Sequence, residues 1–398
     1  VATALLDLSV LATEARTRGI GRYVCDLARG LSRVSSPDVR VLGLERLGWL
    51  GTADVTEDLL GATERLTSAS TPLEPHTAWA YRLRMGLSAA TRAVAPDLVH
   101  TGHPNATPLG NLGCPRVTTC HDLIPLRYPQ HYLDWRDGFR PGRELLDYRR
   151  FHSAAHVIAV SETTANDLTT LLGVAASKIT VVYNGVDLVK WSAEPGERDG
   201  EIRKNYGVSE ASYVLCVGAA DWRKNHDRVL AALALARART PSAEIVLCWA
   251  ARLDSATKAE LRRTARAHGV ANALNLIGYV DDEELAALYR GATAQLFPSR
   301  AEGFGYPVIE AMSSGCPVIT SDRSSLVEVA GDAAMLVDPE DAEAIANAIV
   351  RLVEDDGERR RLSVLGSARA KQFSLERMAE QTLEVYKKVI LMARASAA

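Results

Sequence analysis

No stretch of this 398-residue chain approaches the ~20 consecutive apolar residues that a membrane-spanning helix needs. The N-terminal segment lacks a basic region followed by an apolar core, so no secretory leader is read there. Cysteine is sparse. The six thiols, at 25, 114, 120, 216, 248 and 316, are scattered without metal-ligand spacing. Most stand in apolar, strand-like runs, which predicts buried free thiols in a reducing compartment. A net charge of −3 leaves no basic excess and argues against nucleic acid as the main partner. There is no internal repeat and no low-complexity tract. Together these absences predict a cytoplasmic protein. What is present is an ordinary globular balance, 47% hydrophobic and 24% charged, in a chain long enough for two domains, each with its own core.

The most informative stretch is Ser299 to Thr320, SRAEGFGYPVIEAMSSGCPVIT. The apolar run Ala294 to Phe297 ahead of it predicts a buried strand, and Arg300 to Gly305 a loop. Pro307 suits the first turn of a helix, where its missing N–H would be unpaired anyway. Gly315 ends that helix and a second strand follows. Gly303 and Gly305 allow close backbone approach to a ligand, and a helix start favours an anion such as phosphate. Glu302 and Glu310, with seven residues between them, bracket this turn. Carboxylates accept hydrogen bonds from vicinal sugar hydroxyls. Taken singly, each glutamate is as well explained by solvation or by the helix dipole. As a pair around GFGYP they suit a phosphate beside a polyhydroxyl group, which is the surface of a nucleotide sugar.

This stretch resembles the E-x7-E signature of the family 4 retaining glycosyltransferases. The resemblance implies an α/β protein of GT-B fold, two doubly wound Rossmann-like domains facing across a cleft. The implied domains are an N-terminal acceptor-side domain over 1–187 and a nucleotide-sugar-binding domain over 201–373, and the stretch 188–200 between them, rich in proline, glycine and charge, reads as a linker. A C-terminal helix over 374–398 would cross back toward the first domain. It implies donor contacts by Glu302 (sugar hydroxyls), Glu310 (ribose), Gly303, Phe304, Gly305 and the helix start at Val308 and Ile309.

Other segments take meaning from the same resemblance. Gly19 and Gly21 lie in TRGIGRYVCDLARGL, ahead of an amphipathic helix. Alone they fit a tight strand–helix turn equally well. By resemblance they form the glycine loop that meets the donor diphosphate, with Arg22 near the cleft. His121 follows the strand Arg116 to Cys120 and stands where open α/β sheets bind ligands. The family places such a histidine against the donor sugar, and Asp122 would orient its loop. Arg223 and Lys224 follow the strand Tyr213 to Val217. They match the family's diphosphate-binding pair, although the position after Gly218, arginine in many members, is Ala219 here. Tyr279 and Val280 would line the base. Asp281-Asp282 reads as a helix start rather than a metal pair.

The segment 128–152 mixes aromatics with arginines and acids. A solvated helix face is its first reading, acceptor contact through Tyr128 and Arg140 the second, and peripheral docking at the inner face of a membrane the third. The implied reaction needs no cofactor and no metal. A nucleoside-diphosphate sugar gives its sugar to a hydroxyl of a saccharide, lipid-linked or natural-product acceptor. The GIGRY and HDLIPL segments resemble those of bacterial mannosyltransferases, so GDP-mannose is the first donor expected. The alternatives are a nucleotide-sugar epimerase of the same fold and an inactive donor-binding subunit. A phosphorylase would need a pyridoxal-phosphate lysine motif that is not identified here.

Overall fold

The structure, a computed structural model, describes residues 1–47, 53–68, 87, 91–103, 112–132, 140–208 and 212–397. The chain forms two compact units, Val1–Gly185 with Ser374–Ala398, and Val186–Phe373.

The first unit is built on strands β1 (Ala2–Asp7), β2 (Val39–Leu47), β3 (Ala53–Thr56), β4 (Leu98–Thr101), β5 (Arg116–Cys120), β6 (His156–Ala159) and β7 (Ile179–Val181). They lie in the order β3-β2-β1-β4-β5-β6-β7, all parallel except the antiparallel edge pair β2–β3. The central strands β4, β5 and β6 are buried along their whole length, as a sheet covered on both faces requires. The chain reverses direction of growth between β1 and β4. β1 stops at Asp7, although the apolar run continues to Leu11. The Asp7 carboxylate accepts the Ser9 N–H (2.9 Å) and the Ser9 hydroxyl (2.5 Å), turning the chain into the 3-10 helix Ser9–Ala12.

The helix Leu375–Ala397 belongs to this unit. Leu375, Met378, Ala379, Leu383, Tyr386, Val389 and Ile390 join one core with Val24, Leu27, Ala28 and Leu31 of the helix Gly19–Arg33. The two helices approach closely at Gly30, where a Cβ would stand 2.5 Å from the Leu375 carbonyl oxygen.

The second unit has strands β8 (Ser212–Val217), β9 (Ile245–Ala250), β10 (Leu274–Gly278), β11 (Ala294–Phe297), β12 (Val318–Ser321) and β13 (Met335–Val337). Their order is β10-β9-β8-β11-β12-β13, all parallel. Residues 188–200, read from composition as a linker, are part of this unit. Trp191 is 1% exposed and sets its ring edge-on to Tyr289 at 5.9 Å. Arg290 holds Asp199 through two 2.6 Å hydrogen bonds and the Ser192 carbonyl through a third. One buried indole and one bidentate ion pair outweigh a proline- and glycine-rich composition.

No helix among the described residues is long and apolar enough to cross a membrane. Among the described residues no cysteine is in a disulfide; five of the six thiols are buried and Cys114 is half-buried.

Candidate active site

In each sheet the strand order reverses at one place, and ligands of open α/β sheets bind beyond the carboxyl ends of the strands there. In the second unit this place lies between β8 and β11. The loop after β8 carries Arg223 and Lys224, and the loop after β11 carries Glu302.

Gly218 leaves β8 at φ +114°, a conformation open to glycine, and a Cβ there would press within 3.3 Å of Lys224 Cε. Asp221 then caps a single 3-10 turn, Trp222–Lys224, by accepting the Arg223 N–H at 3.1 Å. Asn225 follows in the left-handed region that asparagine tolerates. Its buried amide donates to the Pro298 and Pro339 carbonyls at 3.0 and 2.6 Å, and the helix His226–Arg239 begins. Arg300, which no sequence motif flags, ties this turn to the loop after β11. Its backbone N–H donates to the Arg223 carbonyl at 2.7 Å and Nη1 to the Trp222 carbonyl at 2.8 Å, while Glu340 holds Nε at 2.6 Å.

These ties bring three of the sequence-predicted residues together. Lys224 Nζ lies 2.7 Å from Glu302 Oε1, and Arg223 Nη1 lies 3.2 Å from Oε2. Arg223 Nε also meets Asp221 at 3.1 Å, and Lys224 Nζ sits 4.1 Å from the centre of the Phe297 ring. Glu302 is 8% exposed. Burial alone would raise its carboxyl, but the Lys224 and Arg223 cations outweigh burial and hold it below its ordinary value. Burial lowers the Lys224 ammonium below its ordinary value despite Glu302. At neutral pH the cluster is an ionised carboxylate between two cations, with little water to screen it.

The helix Tyr306–Ser313 starts at Gly305, which has φ +115° and whose Cβ would stand 2.7 Å from a Leu326 methyl. Pro307 lies in its first turn, as expected. Val308 and Ile309 are fully buried, so only their backbone N–H groups could serve a ligand. Glu310 is 1% exposed on the same helix, and Phe304 packs edge-on to Tyr306 and Phe373 at 5.6 and 5.9 Å. At the ends of β9 and β10, Tyr279 is 58% exposed with the Arg252 guanidinium 5.1 Å from its ring centre, and Val280 is buried. Asp281 caps the helix Asp282–Gly291 by accepting the Glu284 N–H at 2.9 Å. Among the described residues no group of three or more His, Cys, Asp or Glu is placed to hold a metal ion.

In the first unit His121 follows β5. Its Nε2 is 2.7 Å from the Gly102 carbonyl oxygen. A carbonyl can only accept, so Nε2 carries the proton. Burial lowers the imidazole's pKa, leaving it neutral near pH 7 with Nδ1 as the acceptor atom. The ring packs edge-on to Tyr23 at 4.9 Å. Behind it runs a buried chain. Tyr23 Oη lies 2.8 Å from Thr119 Oγ1, His100 Nε2 2.8 Å from the same oxygen, and His100 Nδ1 2.6 Å from Tyr386 Oη. Burial pushes the His100 pKa down to about 3, so this chain is neutral. Of its members only Tyr23, in GIGRY, stands in a segment singled out from the sequence.

Asp122 accepts the Ile124 N–H at 3.1 Å and so shapes the loop after His121. Tyr128 ends the short helix Ile124–Arg127 and is half-buried. Residues 133–139 and the side chain of Arg140 lie outside the described residues.

Gly19 and Gly21 stand inside the first turn of the helix Gly19–Arg33, rather than ahead of it as expected. A Cβ on Gly21 would lie 2.3 Å from Arg16 Cα, so this glycine lets the helix seat on the preceding turn Glu14–Thr17; a Cβ on Gly19 would meet none of the described residues within 4 Å. Arg22 lies 4.0 Å from Asp26 on the same helix. Gly21→Ala is therefore expected to destabilise by about 1–3 kcal/mol through overpacking. Gly19→Ala should change the melting temperature little. Equal melting of the two variants would remove the packing role.

A family model described as Glycosyl transferases group 1 matches residues 198–367, and one described as Glycosyltransferase Family 4 matches residues 17–190. The O-antigen chain mannosyltransferase B of Escherichia coli is 32% identical over 275 residues, 68% of this chain and 70% of its own length. The alpha-maltose-1-phosphate synthase of Mycolicibacterium smegmatis is 31% identical over 394 residues, 93% of this chain and 95% of its own. Among solved structures, Anabaena HepE in complex with UDP-glucose superposes with a TM-score of 0.73 at 19% identity, over 97% of this chain and 99% of that one.

Proposed function

This chain belongs to family 4 of the glycosyltransferases and has the GT-B fold, and from that premise we propose that it moves a hexose from a nucleoside-diphosphate sugar to a hydroxyl with retention of anomeric configuration. The observation that carries this reading is the Lys224–Glu302–Arg223 cluster at the switch point of the second sheet. The leaving group is a nucleoside diphosphate, and charge builds on it as the C–O bond breaks. Arg223 offers a planar fork and Lys224 a point charge to that developing charge. The N–H groups at the start of the helix Tyr306–Ser313 add to them. The Glu302 carboxylate meets both cations. A bound diphosphate takes them over, which turns Glu302 to the hydroxyls of the transferred sugar. Glu310 takes the ribose hydroxyls. His121, neutral, accepts a hydrogen bond from a sugar hydroxyl at Nδ1. No side chain is assigned as nucleophile: the departing phosphate takes the acceptor's proton as the acceptor oxygen attacks from the same face.

GDP-mannose is the proposed donor, supported by the mannosyltransferase among the relatives. The acceptor is a saccharide, lipid-linked or small-molecule hydroxyl. Thermal melts with GDP-mannose, UDP-glucose and ADP-glucose test the donor, because a ligand that binds the native state raises Tm. NMR of the product from the donor that binds tests retention. An inverted product overturns the retaining reading, and consumption of donor without acceptor points to epimerisation. Metal independence is part of the proposal, since fixed cations and helix N–H groups already face the diphosphate. EDTA is therefore expected to leave turnover within about twofold of the untreated enzyme, as for any rate not routed through a bound ion. Loss of activity that Mg²⁺ restores would contradict it.

A further inference from the structure

The loop after β12 holds a serine in backbone space that serine rarely takes. Ser324 sits at φ 54°, ψ −151°. Residues with a Cβ avoid this region and glycine enters it freely. The side chain gives a reason for the misfit: Ser324 Oγ accepts the backbone N–H of Glu302 at 3.1 Å. The next residue, Ser325, is fully buried, and its hydroxyl lies 2.9 Å from both the Glu302 and the Phe304 carbonyl oxygens. Two adjacent hydroxyls thus take both backbone polar atoms of Glu302, while Lys224 and Arg223 take its carboxylate. Glycine at 324 would relax the backbone and supply no hydroxyl.

We propose that Ser324 is a positioning residue for Glu302, its hydroxyl fixing the Glu302 peptide so that the carboxylate is presented to the transferred sugar. The strained backbone persists because a relaxed residue could not make that bond. This rests on the reading of Glu302 as a sugar contact.

The test compares Ser324→Gly and Ser324→Ala with the wild-type full chain. At a relaxed site alanine is the more stable of the two, because glycine adds unfolded-state entropy. Here the order inverts, and the glycine variant melts above the alanine variant. Calorimetry with GDP and GDP-mannose, and with UDP and UDP-glucose, reads the positioning. In both variants the ratio of dissociation constants shifts about tenfold against the nucleotide sugar, as for one misplaced hydrogen-bonded group, while the diphosphate alone stays within about twofold. An alanine variant that melts higher overturns the proposal, and so does an unchanged ratio in both variants. Wild type binding none of the four probes would instead overturn the functional reading of the site, and this proposal with it.

Discussion

Lys224→Ala is expected to reduce turnover at least ~100-fold, the scale of losing one preorganised donor to a developing charge. The ammonium is held at a fixed place by Glu302 at 2.7 Å and by the Phe297 ring at 4.1 Å. It therefore needs little reorganisation when the diphosphate departs. Its desolvation makes the charge stronger toward a ligand and easier to lose to base. The folded pKa is lowered, so the rate should fall on the alkaline side before the ordinary lysine value is reached. Glu302→Gln removes the carboxylate that supports the ammonium and should move that limb to still lower pH. The linked stability has the opposite sign. Between the lowered folded pKa and the ordinary value, the unfolded chain binds more protons, so stability rises with pH there. Steady-state kinetics across pH on the folded variants, with circular dichroism as the fold control, is the measurement. Wild-type turnover in Lys224→Ala would remove the site assignment.

Glu302→Ala is expected to lose at least ~100-fold in sugar transfer, by the same reasoning about contacts that strengthen in the transition state. Its binding signature should be the opposite of the lysine variant's. Lys224→Ala weakens GDP, because a cation is gone. Glu302→Ala binds GDP as well as wild type or better, because the carboxylate no longer competes for Arg223 and Lys224. The pH dependence of stability also separates them. Glu302 has a depressed folded pKa, so its contribution is complete above the ordinary carboxyl value and is lost as pH falls through the depressed one. That acid-side loss should be absent from Glu302→Ala melts. Weaker GDP binding in Glu302→Ala would mean that the carboxylate does not hold the cations in reserve for the diphosphate.

Much of this molecule was legible in local sequence. The limits of β5 and β11 fall where the apolar runs place them. Ser161 and Asp281 cap helices as short polar residues ahead of an amphipathic run should. Glu302 and Glu310 declared themselves through the glycines and Pro307 between them. Such signals are local because backbone preference and capping act over a few neighbouring residues.

Pairing and burial belong to tertiary structure. Lys224 and Glu302 are 78 residues apart in sequence, and Tyr386 and His100 are 286 apart. Only the strand order, with β8 beside β11, brings the first pair together. Nothing in RKN says that its cations will be met by a carboxylate, and nothing in DRSS says that one serine will hold a glutamate's peptide from a strained backbone. Residues 188–200 carry the composition of a linker, yet Trp191 and the Asp199–Arg290 pair fix them to the second unit. A side chain's residue type sets which bonds it can make. Which bond it makes depends on what the folded sheet places within about 3 Å of it, and that distance is not written in the order of the residues.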